Sequence, residues 1–296
     1  MPELPEVEVT RQAIAPLVVG SRLTEVIIQG SRTVRRGAWG PEEFAGLIDA
    51  SVTAVDRVGK FLLLRFDSQE GDRRRFTVSI HLGMSGRLVV EEGTRHEGVP
   101  IHQHAVFTFD RTTLRFVDPR TFGEIFMSPT ADDGTPRLLA HLGPDALGPV
   151  SHLVDAMEQG FSSSGQAIKS KLLDQRIVAG IGNIYSDEIL FECQLHPATP
   201  VNVLTRHHVS RLATVTRSVL AKAVFAGGSS LKDKSFRDPV GMLGRYQDAH
   251  AVYGRSGAPC PRCGSSIRRV LIGGRSAHFC PRCQIDHSHG ERRRPR

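Results

Sequence analysis

Four cysteines near the end of the chain have the spacing of a metal site. Cys260 and Cys263 form one C-x2-C pair and Cys280 and Cys283 form a second, with sixteen residues between the pairs. This spacing suits one tetrahedral zinc held by four thiolates in a β-hairpin. Two disulfides are the alternative, disfavoured because the N-terminus has no secretory signature and a reducing compartment is therefore expected. Four thiolates leave no open coordination position, so we predict a structural zinc.

The N-terminus combines a potential nucleophile with two carboxylic acids. Removal of Met1 would expose the secondary amine of Pro2, which titrates near neutral pH and could attack the sugar C1′ of a nucleotide to form a Schiff base. Glu3 and Glu6 are three residues apart and could both serve as acid/base groups in one pocket. Proline and glutamate are also ordinary residues at the start of a helix, so residue type alone leaves both interpretations open.

Positive charge is concentrated at the C-terminal end. Residues 256–296 contain nine arginines and two acidic residues, so this segment carries the whole net charge of +7. An uneven distribution of this kind favours a polyanionic partner. Arg268, Arg269 and Arg275 would make the zinc hairpin a basic finger suited to a DNA groove, although a zinc ribbon can also bind protein. The arginines after residue 291 have a simpler interpretation as a solvated tail.

Hydrophobic periodicity divides the chain into a strand-rich and a helix-rich part. A helix is predicted over 5–18 and another over 41–49. Strands are predicted over 22–29, 52–57, 61–66, 75–82, 86–90, 104–109, 113–117 and 122–126. Alternation of Phe76, Val78, Ile80 and Leu82 is typical of a half-buried strand. Later helices are predicted over 150–159, 166–174, 184–193 and 205–226, the last ending at Gly227–Gly228.

These elements predict an α+β multidomain fold. It comprises an N-terminal antiparallel β-sandwich with flanking helices, a helical domain and a four-cysteine zinc β-hairpin. The expected parts are the sandwich (1–128), a linker (129–149), the helical domain (150–255), the zinc finger (256–284) and a basic tail (285–296). No apolar run approaches the length of a membrane helix, and we expect a cytoplasmic monomer.

Five separated motifs, in order, resemble the bacterial formamidopyrimidine-DNA glycosylase family. They are MPELPEVEVTRQ, HLGMSG, DPRTFG, VAGIGNIYSDE and VYGRSGAPCPRCG, and the resemblance runs from residue 1 to about 284. It implies a bifunctional glycosylase and abasic-site lyase of base excision repair, acting on double-stranded DNA with oxidised purines (8-oxoguanine, formamidopyrimidine) or abasic sites. One structural zinc is the only cofactor implied.

The resemblance also implies roles for individual residues. Pro2 would be the Schiff-base nucleophile, Glu3 the general acid/base, and Glu6 a supporting residue. Lys60 would assist the lyase step and contact phosphate, although a lysine before an apolar strand is ordinarily a solvated edge residue. Arg275 would lie at the finger tip near the broken strand and would belong, with Pro2, Glu3 and Lys60, to the catalytic set.

Three further residues match a set that fills the space left by a flipped nucleotide. Met84 and Phe122 would wedge between base steps, and Arg120 would pair with the orphaned opposite base. From residue type alone, Met84 and Phe122 would be placed in the core. The resemblance also implies a DNA contact for His102. It implies that Lys169 and Asn183 bind phosphate from a helix–two-turn–helix element of the helical DNA-binding domain.

The sequence departs from the family pattern at several places. Residues 68–75 and 91–100 are expanded or altered, and the tail beyond Cys283 is extra. Ser164 occupies a position that is commonly basic, and the loop over 234–247 lacks the usual lesion-capping sequence. The loop leaves lesion preference open. Two alternatives therefore remain: an endonuclease VIII-like glycosylase for oxidised pyrimidines, and a non-catalytic damaged-DNA-binding protein that retains the scaffold.

Overall fold

The computed structural model describes residues 2–29, 32–36, 39–67, 75–93, 100–131, 134–162, 164–231 and 236–286. Predictions that concern Met1, residues 68–74 and 94–99, the first two residues of the 234–247 loop and the basic tail after residue 286 lie outside these ranges. Contacts divide the chain into two units, one formed by residues 1–141 and 226–245 and the other by 142–225 and 246–296. Within the described ranges, no helix is both long and apolar enough to cross a membrane.

The first unit begins with helix α1 (Leu4–Val18), which confirms the predicted N-terminal helix. Pro5 lies in its first turn, where the missing N–H has no consequence for helix hydrogen bonding. Leu4, Val7, Ile14 and Val18 recur at helical spacing and are all buried, so one face of α1 packs into the unit.

Two four-stranded antiparallel sheets follow and confirm the predicted sandwich. Their strand orders are β2-β3-β4-β8 and β1-β6-β7-β5. Each strand lies within three residues of its predicted bounds: β1 (Leu23–Ile28), β2 (Ser51–Val58), β3 (Phe61–Asp67), β4 (Arg75–His81), β5 (Arg87–Glu92), β6 (Gln103–Phe109), β7 (Thr112–Val117) and β8 (Glu124–Pro129). The predicted helix over 41–49 is a 3₁₀ helix, Pro41–Leu47.

One apolar core lies between α1 and the two sheets. Representative buried members are Phe44, Leu64, Ile80, Phe107, Phe116 and Ile125. The prediction that β4 is half-buried is wrong, because Thr77 and Ser79 on its polar face are also buried. Strand β4 lies between β3 and β8, and the hydroxyl of Thr77 hydrogen-bonds that of Thr130 at 2.8 Å. The central position of β4 in its sheet, rather than the type of its residues, explains why both of its faces are buried.

Residues 226–245 belong to the first unit although they follow the last helix of the second. The backbone N–H of Val90, on edge strand β5, donates to the carbonyl of Pro239 at 3.0 Å. Asp238 accepts the N–H groups of Val240 and Met242, which closes this segment into a compact turn. The segment therefore covers part of an otherwise open sheet edge.

The second unit contains α2 (Val150–Phe161), α3 (Ile168–Leu172), α4 (Asn183–Cys193), α5 (Arg206–Phe225) and a hairpin of β9 (Arg268–Ile272) and β10 (Arg275–Phe279). The predicted helices are confirmed, and α5 ends at Phe225, two residues before Gly227–Gly228. Helix α5 packs on α2 and α4, and α4 also contacts β10.

Two buried residues of α4 help to organise the second unit. The carboxylate of Glu188 accepts backbone N–H groups from residues 251, 252 and 253, fixing the chain that leads into the finger. Burial raises the pKa of the Cys193 thiol to about 12, so this cysteine stays protonated and packs as a small apolar side chain.

Candidate active site and nucleic-acid interface

The N-terminal residues are held in place by the carboxylate of Glu6. Pro2 is buried, and Glu3 and Glu6 are each 1% exposed. One oxygen of Glu6 accepts the N–H of Glu3 at 2.8 Å, and the other accepts the N–H of Ser229 at 2.7 Å. Gly228 permits this approach, since a Cβ at that position would lie 2.9 Å from the Glu6 carboxylate. Glu6 thus joins the start of α1 to the segment that follows α5, a contact that no sequence motif indicated.

Lys60 lies in a tight turn that is anchored to α1. The turn joins β2 to β3, and Gly59 adopts a φ of +57° in it. The guanidinium of Arg57 donates to the carbonyl of Gly59 at 2.9 Å and to the carboxylate of Glu8 on α1 at 2.9 Å. Burial opposes ionisation of Glu8, but hydrogen bonds and charge from Arg11 and Arg57 lower its pKa. This ion pair fixes the turn that carries half-buried Lys60 relative to α1, which begins directly after Glu3.

His81 shares the electrostatic environment of Lys60. Its ring packs on Phe61, with centroids 4.9 Å apart, and its Nδ1 accepts the N–H of Gly83 at 3.2 Å. Burial, assisted by the charges of Lys60 and Arg36, lowers the pKa of His81 to about 4. The ring is therefore neutral at pH 7, with its proton on Nε2. Sequence reasoning did not single out this histidine, although it opens the HLGMSG motif.

The three residues matched to the nucleotide-filling set are presented on the surface. Met84 is 38% and Phe122 is 49% exposed, so placing them in the core on residue type is wrong. Arg120 is also exposed, and its guanidinium lies 5.1 Å from the centre of the Phe122 ring. His102 is also exposed, and it lies in a turn in which its own φ is +65°. Exposed apolar side chains beside an arginine suit insertion into a base stack.

Lys169, in the second unit, is fully buried, whereas Lys60 in the first unit is half-buried. The side chain of Lys169 forms an ion pair with the carboxylate of Asp187, with the Ser186 hydroxyl at 3.3 Å. Asp187 also accepts the backbone N–H of His278 at 2.8 Å, and its carboxylate lies 3.0 Å from Nδ1 of that residue. The structure therefore places Lys169 in a network that links α3, α4 and β10.

Asn183 and Arg275 occupy different positions around the same hairpin. Asn183 is half-buried at the first residue of α4, and its amide donates to the Ser276 hydroxyl at 3.3 Å. Arg275 is exposed directly after Gly273–Gly274, which have φ values of +56° and +74°. An added Cβ on Gly273 would lie 2.9 Å from the Ser170 hydroxyl, so the hairpin turn packs closely on α3.

The four predicted ligands fit a tetrahedral zinc. The sulfurs of Cys260, Cys263, Cys280 and Cys283 all lie within 4.8 Å of one another. Two of the separations are 3.9 Å (Cys260 to Cys283) and 3.5 Å (Cys263 to Cys280). Zinc–sulfur bonds of about 2.3 Å in a tetrahedron require sulfurs about 3.8 Å apart, whereas a disulfide requires about 2.0 Å. The cluster therefore holds one structural zinc, and the two-disulfide alternative is wrong.

The geometry agrees with three family models that match successive parts of the chain. The formamidopyrimidine-DNA glycosylase N-terminal domain matches residues 1–125, and the H2TH domain of the same enzymes matches 142–235. A zinc finger found in FPG and IleRS matches residues 257–285.

Two relatives are similar over nearly the whole chain. Formamidopyrimidine-DNA glycosylase of Thermus thermophilus is 41% identical over 284 residues, covering 96% of this chain and 98% of its own. Structures of Lactococcus lactis Fpg are 30% identical, cover 96% of this chain and 99% of theirs, and give TM-scores of 0.81–0.82. Those structures contain DNA with Fapy-dG, an abasic site or an oxidised pyrimidine.

Proposed function

The chain belongs to the formamidopyrimidine-DNA glycosylase family, and from this premise we propose how its own residues carry out the family's reaction. It is a DNA glycosylase and abasic-site lyase of base excision repair, whose substrate is double-stranded DNA with oxidised purines or abasic sites. Its compartment, by our proposal, is the bacterial cytoplasm, where chromosomal DNA lies. The proposed division assigns catalysis to the sandwich over 1–128 and DNA binding to the helices over 150–255 and the finger over 256–284.

The observation that carries the mechanism is a buried carboxylic acid immediately after the proposed amine. Glu3 is 1% exposed, and its backbone is fixed by Glu6, which is itself bonded to Ser229. A reacting group held this way needs little reorganisation when the sugar arrives. Glu6 acts through position, because its two oxygens each accept a backbone N–H group.

The proposed reaction begins when the lone pair of the Pro2 nitrogen forms a bond to C1′. The glycosidic electrons leave with the damaged base, which takes up a proton, and Glu3 protonates the ring oxygen as the sugar opens to an iminium. Loss of a C2′ proton then expels the 3′ phosphate, and a second elimination expels the 5′ phosphate. Water hydrolyses the iminium and returns the amine, so no oxidant or reductant is consumed.

The other matched residues support this chemistry by binding DNA. Lys60 is held on an anchored turn, where a cation can contact the phosphate beside the lesion. Met84, Arg120 and Phe122 occupy the space of the extruded nucleotide, offsetting an extrusion cost of a few kcal/mol. Arg275 and Asn183 contact the backbone, as His102 does from its exposed turn. Lys169 acts within its buried network, by holding the hairpin rather than by meeting phosphate directly.

The mechanism predicts a covalent adduct on Pro2. Borohydride should trap the protein on a duplex with an abasic site and on one with 8-oxoguanine, and peptide mapping should place the adduct on Pro2 with Met1 absent. One alanine inserted before Pro2 turns its amine into an amide, and should eliminate trapping and cleavage. The control Pro5→Ala leaves the terminal amine unchanged and should be trapped normally.

Glu3→Gln should separate the two activities. Excision of the intact damaged base should fall far more than cleavage of a preformed abasic site, which has already lost its base. An adduct that maps to Lys60, or no adduct on any lesion duplex, contradicts the mechanism and favours a different lyase or a binding protein. A preference for duplexes with oxidised pyrimidines would instead support the endonuclease VIII-like alternative.

A further inference from the structure

Two loops of the sandwich unit carry the three residues proposed to fill the extruded nucleotide's place. One loop, residues 82–86, carries Met84, and the other, residues 118–123, carries Arg120 and Phe122. Asp118 begins the second loop and is fully buried, at 0% exposure. A buried carboxylate requires hydrogen-bond donors around it.

Those donors come from both loops. The Ser85 hydroxyl, in the first loop, donates to one oxygen of Asp118 at 2.5 Å. The Gly123 N–H, at the end of the second loop, donates to the other oxygen at 2.7 Å. The backbone N–H of Arg120 lies 3.2 Å from the Ser85 hydroxyl and 3.3 Å from the Asp118 carboxylate. One carboxylate and one hydroxyl therefore bridge the two loops.

The backbones of the two loops are also in direct contact. Gly83 has a φ of +63°, and a Cβ there would lie 2.4 Å from the backbone nitrogen of Gly123. A Cβ on Gly123 would lie 2.4 Å from the Phe116 ring. The two loops are therefore in close backbone contact at Gly83 and Gly123, and the Asp118–Ser85 hydrogen bond connects them as well.

The main chain of Asp118 extends the connection to a third segment. Its N–H donates to the carbonyl of His102 at 3.0 Å, and its own carbonyl lies 2.9 Å from Nε2 of His104. The exposed turn with His102 is thus bonded to the same residue as the two loops. All of these bonds lie within the first unit.

We propose that Asp118 and Ser85 are a positioning pair that makes Met84 and Phe122 enter the duplex as one rigid body. The inference rests on the function proposed above for those two side chains. Insertion has to offset the loss of base stacking and pairing, and side chains already fixed in place lose less conformational freedom on binding than independent loops. The hydrogen bonds of the pair connect the two loops and the His102 turn, so we expect the pair to act on base extrusion rather than on bond cleavage.

The test is a double-mutant cycle on the rate of base excision in single turnovers. Met84→Ala, Phe122→Ala and the combined variant are compared on a lesion duplex, first with Ser85 present and then with Ser85→Ala. Rigid coupling predicts a combined effect that departs from the product of the single effects by about fivefold with Ser85 present. In the Ser85→Ala background this departure should fall below about twofold.

Ser85→Ala alone should slow excision about tenfold, as expected for a lost hydrogen bond to a carboxylate. Cleavage of a preformed abasic site, where extrusion is easier, should change less than about twofold. Ser79→Ala is the matched control, since this hydroxyl lies on neighbouring β4 and has no hydrogen-bond partner among the described residues. It should leave the excision rate and the coupling intact.

The possible failures are distinguishable. If Met84→Ala and Phe122→Ala each slow excision but their coupling persists in Ser85→Ala, the positioning role is overturned and the proposed function stands. If neither single variant slows excision, the nucleotide-filling role and this inference both fail. Equal loss in Ser79→Ala and Ser85→Ala indicates a general weakening of the sheet and also overturns the inference. Asp118→Asn, measured with its melting temperature, should reproduce the selective loss of excision.

Discussion

Lys60 and Lys169 were matched to phosphate-contacting residues by the same resemblance, yet the two units surround them differently. Lys60 is half-buried on a turn braced by Arg57, whereas Lys169 is wholly buried against Asp187. Lys60 is partly exposed to solvent. The charged group of Lys169 instead holds α3 against α4 through its ion pair with Asp187. A motif therefore identifies a residue without specifying whether its charge faces DNA or the protein interior.

The largest expected effect comes from removing the zinc of the second unit. Chelation or Cys280→Ser should abolish tight DNA binding, with a loss above about a hundredfold, because folding of a small zinc module depends on its metal. The single tryptophan, Trp39, packs against the core of the first unit and reports on that unit alone. Its fluorescence should remain unchanged. Cys193→Ser, outside the cluster, is the control and should retain zinc, and active protein free of zinc would refute the prediction.

Substituting the two lysines tests the comparison directly. Lys169→Met breaks a buried ion pair and should lower the free energy of unfolding by about 3–5 kcal/mol. Lys60→Met should change that free energy by no more than about 1 kcal/mol while greatly slowing cleavage at abasic sites. Calorimetric unfolding and abasic-site cleavage measure the two effects. Equal stabilities of the two variants would show that burial does not separate these lysines.

The two units should also respond alike to acid, through His81 in the first and His250 in the second. Burial lowers the pKa of His81 in the first unit and of His250 in the second to about 4. Because the unfolded chain binds a proton near pH 6.5 and the folded chain does not, stability falls as pH drops from 6.5 toward 4. Each histidine contributes on the order of 3 kcal/mol across that window.

His81→Gln and His250→Gln should each make the free energy of unfolding less dependent on pH between pH 6.5 and pH 4. The exposed His141→Gln is the control and should leave the dependence unchanged. A steep dependence that survives both substitutions would assign the acid sensitivity to other groups.

The smallest expected effect concerns Arg120, an exposed arginine of the first unit. Arg120→Ala should weaken discrimination for the base opposite the lesion about tenfold, because a bidentate contact to a base contributes about 1–3 kcal/mol. Cleavage of a preformed abasic site should be nearly unaffected. Arg111→Ala, an exposed arginine in the β6–β7 turn, should change neither measurement. Similar losses on both substrates would indicate weakened general binding instead.

Local features predicted most of the elements, since hydrophobic periodicity located the strands and the main helices and cysteine spacing located the zinc hairpin. The sheet orders could not be predicted, because pairing of β1 with β6 and β4 with β8 depends on contacts distant in sequence. The burial of the polar face of β4 has the same origin.

The sequence predicted which residues belong to the candidate site, but not which of them contact one another. Ser85 and Asp118 lie inside two recognised motifs, yet a serine and an aspartate in loops are ordinarily turn residues. Only the fold brings them together. The burial of Lys169 could not be predicted, because its partner, Asp187, lies on another helix and a helical lysine is ordinarily exposed.

The bond between Glu6 and Ser229 has a consequence for how the protein is made. Its two residues are 223 positions apart, so a ribosome completes α1 and both sheets long before the segment that closes over Glu6 is synthesised. At about 5–20 residues per second, the interval between residue 141 and residue 245 is on the order of 5–20 s. During that time the nascent sandwich carries an open edge at β5 and an incomplete catalytic end. Newly made chains gain this contact only after most of the helical unit has been translated.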